Sequence, residues 1–320
     1  VTGQHGAFLQ PKVLVPFVVI TLIWGSTWII IKDQLGVVPP AWSVTYRYVI
    51  AASAMFAYAA WRRLKLRLDR EGHLLALAFG IPQFFLNFNF VYAAERFVTS
   101  GIVSVVFALL LVPNSLLARA FLKHRLSARF VAGSALAVGG VFLLFVHEVQ
   151  SAPGRAEAVV AGIGLTLLGM LCASFSNVLQ ATRRVRSRPV ATMVAWGMLY
   201  GTIANAALAF FLYGPPVFEA RAGYWIGLVY LGLFASALAF TFYFGIIRIV
   251  GPGRAAYSSV LIPIVAMGFS TVFEAYRWSL LAVAGGLCAL AGLLIALGAG
   301  RRQAGAAGPP VPEGGPISAP

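Results

Sequence analysis

Apolar residues run through this chain in long blocks, and polar residues gather in the short connections between them. A membrane span needs ~20 predominantly apolar residues to cross a hydrocarbon core of ~30 Å. Candidate blocks lie at about 13–32, 41–61, 73–93, 97–121, 127–147, 158–181, 189–212, 222–244, 252–275 and 278–299. Inside a bilayer the backbone must satisfy its own polar groups, and these blocks lack the ten-residue alternation of a barrel strand, so they are read as helices. The pattern predicts an all-α polytopic membrane protein with ten transmembrane helices and almost nothing left for a soluble domain.

Composition agrees: 60% of residues are hydrophobic, 10% are charged, and the mean hydropathy is +0.86. The net charge of +15 would suggest nucleic acid in a soluble protein, but its distribution points to topology. With the N-terminus in the cytoplasm, eighteen of the 24 Lys and Arg residues face inward, in clusters such as Arg62, Arg63, Lys65, Arg67 and Arg70 or Arg183, Arg184, Arg186 and Arg188. Lys32, Arg96, Arg155, Arg221 and Arg277 face outward, and Arg47 lies within the second span. The positive-inside rule then puts both termini in the cytoplasm, and the basic excess meets anionic lipid, not nucleic acid. The first span is followed by no small-residue cleavage site and is expected to stay in the mature protein. Cys172 and Cys288 fall inside spans as small apolar packing residues, and His5, His73, His124 and His147 are scattered, so no metal site and no cofactor are expected.

The second half repeats landmarks of the first. Arg96 is followed by Gly101 and Pro113, and Arg248 by Gly253 and Pro263; GSALAVGG from Gly133 and GLCALAG from Gly286 each place glycines six residues apart. Five spans per repeat is an odd number, so the halves sit in opposite orientations, with substrate near the midplane between them. The expected organisation is a cytoplasmic tail over 1–12, repeat 1 over 13–149, repeat 2 over 150–299, and a disordered Gly/Pro/Ala-rich cytoplasmic tail over 300–320.

With LIWGSTW in span 1, Arg47 in span 2, small-residue entries and prolines in spans 4 and 9, and glycine-rich spans 5 and 10, the chain resembles the EamA group of the drug/metabolite transporter superfamily. The likeness covers roughly 13–299 and is nearest to bacterial inner-membrane exporters of amino acids and related metabolites, including aromatic amino acids. It implies a central cavity lined by spans 1, 3, 4, 6, 8 and 9. The family's Glu after spans 4 and 9 is matched by Glu274, whereas the first half carries Lys123-His124-Arg125 there.

Candidate cavity residues follow from polarity and helical spacing. Trp24 and Trp28 share a face of span 1, where indoles stack on a flat or apolar solute and donate hydrogen bonds; packing or an interfacial belt is the alternative. Gln83 and Asn87 share a face of span 3, as do Ser174 and Asn177 in span 6; such groups either lock helices together or face a wet cavity. Ser100 and Ser104 on span 4 answer to Tyr257 and Ser258 on span 9, and Tyr230 on span 8 completes an aromatic wall. Pro113 and Pro263 are candidate hinges, or static bends. Gly197 to Gly201 and Gly285 to Ala289 are packing stripes, with a homodimer face as the alternative to a monomer. Arg47 is assigned a structural role, by snorkelling or by pairing with Asp33, ahead of contact with a substrate carboxylate.

All nine carboxylates map to span ends, loops or tail. A buried-carboxylate proton relay is therefore not expected, and facilitated export by alternating access is. No convergent nucleophile, acid–base or metal set supports an enzyme. The expected function is export of neutral, preferably aromatic, amino acids and related small metabolites. A proton-coupled exporter of nucleosides or drug-like solutes, or a non-transporting membrane scaffold, is the alternative.

Overall fold

A computed structural model describes residues 11–122, 126–151, 154–250, 252–255 and 258–306. Helices account for almost all of it, and no strand occurs among the described residues. In chain order they are α1 (Pro11–Asp33), α2 (Pro40–Trp61), α3 (Arg70–Gly80), a π-helical segment (Ile81–Leu86), α4 (Asn87–Ala94), α5 (Ser100–Ala108), α6 (Leu111–Leu122), α7 (Ala128–Ser151) and α8 (Ala156–Ala181). There follow α9 (Arg183–Arg186), α10 (Val190–Tyr213), α11 (Ala222–Gly232), a second π-helical segment (Leu233–Leu238), α12 (Ala239–Val250), α13 (Pro252–Ala255), α14 (Ser258–Phe273) and α15 (Leu280–Ala306).

Among the described residues seven helical stretches are long and apolar enough to cross a membrane, from Val13–Asp33 to Ala222–Val250. The other three expected spans are represented by α2, which is long enough but carries Ser43, Thr45 and Arg47, and by the shorter apolar stretches Leu261–Phe273 and Leu280–Ala296. Phe211, Ile226 and Leu280 are each at least 70% exposed on these helices, as expected of side chains that meet lipid tails. The last helix runs to Ala306, past the expected end of the helical region, and the rest of the C-terminal tail lies outside the described residues.

Two spans expected to be single helices are interrupted. Span 3 passes through the π segment Ile81–Leu86, where Pro82 supplies no N–H, and span 8 passes through Leu233–Leu238. Carbonyls there are taken up from other helices: Asn205 Nδ2 donates to Phe84 O at 2.9 Å and Trp24 Nε1 to Ala235 O at 3.1 Å. Each segment follows a glycine against a neighbouring backbone, Gly80 on Gly197 and Gly232 on the Arg47 carbonyl. Span 4 breaks at Leu109–Leu110, where the Pro113 ring would meet the Leu109 carbonyl four residues back. Pro263 lies inside continuous α14.

The packing joins helices from the two halves. α7 lies along α15 with backbones in contact at Gly133, Gly140, Gly285 and Gly292, and α2 lies along α10. α1 packs on α12 and α14, while α4 packs on α8 and α5 on α14. Where the chain connects α9 to α10, Arg188 donates to Asp69 at 2.7 Å, and Asp69 caps α3 through the Gly72 N–H at 2.9 Å. The Arg188 guanidinium beside it holds the exposed Asp69 carboxyl below its ordinary range.

Candidate functional site

The helices enclose a central cavity walled by α1, α2, the first π segment, α4, α5, α8, α12 and α14. It offers about 100 Å³ for the centres of water-sized groups.

Six of the twenty lining residues are aromatic. Trp24 meets Phe240 at 5.3 Å and Tyr243 at 4.9 Å between ring centroids, and Trp28 meets Phe107 at 5.4 Å. Phe240 and Tyr243 are three apart on α12, so both rings leave the helix on one face. Small residues on α5 and α8, such as Ala108 and Ala173, leave space in front of these rings.

Arg47 changes the chemistry of this cavity. It is 1% exposed, lines the cavity, and has no carboxylate within salt-bridge distance among the described residues. Asp33, its expected partner, instead binds Arg221 at 2.8 Å. The expectation that Arg47 snorkels or pairs with Asp33 is therefore corrected: α2 packs along α10 and carries the guanidinium to the cavity wall. Arg47 Nε donates to Ser236 Oγ at 2.9 Å, its guanidinium carbon lies 4.3 Å from the Phe88 ring centroid, and Nη1 has no hydrogen-bond partner.

Further unmet polar atoms belong to the same wall. The Trp28 indole N–H, Gln83 Oε1, Asn87 Oδ1 and Ser104 Oγ are all buried and all lack a partner. A buried unpaired group costs about 1–3 kcal/mol, so several on one cavity mark where a polar solute or ordered water completes the site.

Of the sequence candidates, Trp24, Trp28, Gln83, Asn87, Ser104, Asn177 and Ser258 line the cavity. Asn177 also approaches Asn114 at 3.5 Å. Ser100, Ser174 and Tyr230 do not line it. Ser100 donates to Glu274 through its backbone N–H and its hydroxyl, Ser174 is buried among helices, and the Tyr230 hydroxyl lies 2.7 Å from Ser26 Oγ. Tyr257 lies outside the described residues, as does Lys123-His124-Arg125. Thr27, Phe88, Phe107, Phe240, Tyr243 and Ile262 were missed. The aromatic run FTFYF over 240–244 was the available signal, because rings at three- and four-residue spacing mark one dense helical face.

The chain is similar along nearly its whole length to known membrane transporters. The model of the EamA-like transporter family matches residues 12–146 and 160–298. Protein PagO of Salmonella typhimurium is 23% identical over 265 residues, covering 82% of this chain and 85% of PagO. A probable amino-acid metabolite efflux pump of the same organism is 23% identical over 284 residues, covering 86% and 91%. One solved crystal structure shares the fold with a TM-score of 0.68 at 20% identity, covering 90% of this chain and 98% of that one. With the family model matched in both halves and a cavity closed in by apolar helices, this chain belongs to the EamA-like transporter family and is a multi-pass membrane transporter of small molecules.

Proposed function

We propose that the cavity carries one zwitterionic amino acid with an apolar or aromatic side chain, and that the protein exports it by alternating access. The observation that carries this reading is that residues of the cavity wall hold both unmet donors and unmet acceptors. Arg47 Nη1 and Trp28 Nε1 are donors fit for a carboxylate, and Gln83 Oε1 and Asn87 Oδ1 are acceptors fit for an ammonium group. The rings of Trp24, Phe107, Phe240 and Tyr243 are left for the side chain. A relative's name, amino-acid metabolite efflux pump, supports the same class of cargo.

No carboxylate is among the described residues of the wall, which supports facilitated transport without a relay inside the cavity. The asymmetry of Lys and Arg supports cytoplasmic termini in a bacterial inner membrane, with Asp33 and Glu95 at the outer end. Inverted repeats are supported by the two π segments at corresponding places and by the cross-half packing of α1 on α12 and of α4 on α8. The break before Pro113 and the π segments are the places where the helices would bend.

Binding to purified protein tests the reading of the site. Phenylalanine is expected to compete with labelled phenylalanine, while phenethylamine, which lacks the carboxylate, and hydrocinnamate, which lacks the ammonium, compete at least tenfold more weakly. Asn87→Leu should weaken phenylalanine about ten- to a hundredfold, the loss of a hydrogen bond to a charged group, and leave hydrocinnamate unchanged. Equal competition by all three solutes would refute the zwitterion site.

A further inference from the structure

Glu95 follows α4 at the end of the bundle where α1 and α14 also finish. Its position next to a helix end suggests contact with water, yet its side chain is 0% exposed and both carboxyl oxygens lack a hydrogen-bond partner. The chain ends around it are tied together. Lys32, on the last turn of α1, donates to the backbone carbonyl of Glu95 and to that of Val98 at 3.2 Å. Glu274, just past α14, accepts the Ser100 backbone N–H through both oxygens at 3.2 Å and also the Ser100 hydroxyl, which fixes it at the N-terminus of α5. Three helix ends are thereby held together by bonds that involve two ionisable residues and enclose a third.

The charged and titratable groups facing Glu95 are Lys32 from α1, Glu274 from the end of α14, Arg47 from α2 and Tyr92 from its own helix. Lys32 spends its hydrogen bonds on carbonyls and Arg47 Nε on Ser236, so neither is recorded as a hydrogen-bond partner of the carboxyl. Beside this cluster a pocket of about 430 Å³, wide enough for many waters, is lined in part by Lys32, Glu95, Arg96 and Tyr213. Water is at hand as soon as the ends separate.

We propose that Glu95 is a proton-binding latch: neutral, it lies dry between Lys32 and Glu274 with the helix ends together, and ionised, it draws water in and the ends part. Burial, reinforced by the Glu274 carboxylate, pushes the Glu95 carboxyl well above its ordinary range in the closed arrangement, against the pull of Lys32 and Arg47. In the open arrangement a hydrated carboxyl returns to about 4.3. The closed form thus holds the extra proton, so acid favours closure, and raising the pH above about 4.3 shifts the population toward the open form until the closed-state value is passed. Combined with the proposed orientation, an acidic exterior would slow release of cargo.

Double electron–electron resonance on the full-length chain in lipid nanodiscs tests this. Spin labels go on Gly36→Cys and Arg277→Cys, both exposed beyond the ends of α1 and α14, with Cys172→Ala and Cys288→Ala removing the native thiols. The ratio of long to short distances is expected to rise at least about tenfold between pH 5 and pH 8, since one unit of pKa difference is a tenfold change. Glu95→Gln should hold the short distance at both pH values, and Glu95→Asp should keep the pH dependence. A pH-independent distance with Glu95 present, or a Glu95→Gln protein that follows the same pH shift, overturns the latch. The role assigned to it rests on the transport reading, but the distances need no substrate: absent amino-acid flux would refute that reading and leave them standing.

Discussion

Replacing Arg47 by Met is expected to abolish saturable amino-acid transport while leaving the protein folded, with a melting temperature at or above the unsubstituted value. The two halves of this expectation come from one observation. Arg47 is buried with no carboxylate within salt-bridge distance among the described residues, held by a hydrogen bond to Ser236 and by the face of Phe88, while the Glu95 carboxyl faces it from farther off. A buried cation in that state costs several kcal/mol of desolvation that the two contacts only partly offset, and an apolar residue of similar length relieves the cost. What it removes is the Arg47 Nη1 donor for a carboxylate, a charge-assisted contact whose loss costs about 1.5–3 kcal/mol, or ten- to more than a hundredfold in affinity. Arg47→Lys keeps the charge but not the planar fork, and is expected to fall between the two. A purely structural Arg47 would give the opposite pattern: melting temperature and expression would collapse together with flux.

The second large effect concerns the seam between α7 and α15. A Cβ on Gly140 would lie 2.3 Å from the Ala289 nitrogen, and one on Gly292 2.3 Å from the Ala137 nitrogen. These neighbours are backbone, which cannot rotate away. Valine at either position must push the helices apart along their whole contact, so the cost is expected to exceed the ~1–3 kcal/mol typical of overpacked cores. Poor expression or a melting temperature lowered by ten degrees or more would be read by fluorescence-detected size exclusion. The adjacent Gly139 and the equivalent Gly286 have nothing within 4 Å of an added Cβ. Alanine there should be tolerated and should stabilise by up to ~1 kcal/mol, the difference in helix propensity. Equal damage at 139 and 140 would mean that the seam is not where the structure has it.

The all-helical membrane architecture was legible because lipid imposes a strong rule: only long apolar helices satisfy their own backbone there. Interruptions of those helices were less legible. Pro113 signalled the break at Leu109–Leu110, but the segment at Leu233–Leu238 contains no proline, and its released carbonyl is taken by Trp24, a residue 211 positions away in sequence. Similar distance effects decided the site. Trp24, Gln83, Asn87 and Asn177 could be picked out as polar or aromatic groups within apolar spans, yet one-dimensional spacing does not say which face looks inward, and Ser174 and Tyr230 turned out to look elsewhere. Arg47 and Glu95 were both judged by their nearness to a span end. Depth along the helix axis is readable from sequence, whereas lateral burial depends on which neighbours cover the residue, and in both cases these come from both halves of the chain: Phe88 and Ser236 around Arg47, Lys32 and Glu274 around Glu95.

Counterflow of labelled phenylalanine into proteoliposomes preloaded with unlabelled phenylalanine tests the central claim most directly, because exchange needs both binding and a change of access. The account predicts saturable exchange that neutral amino acids inhibit, that phenethylamine and hydrocinnamate do not, and that Arg47→Met abolishes. Exchange no greater than in empty liposomes, or exchange that survives in Arg47→Met, would contradict it.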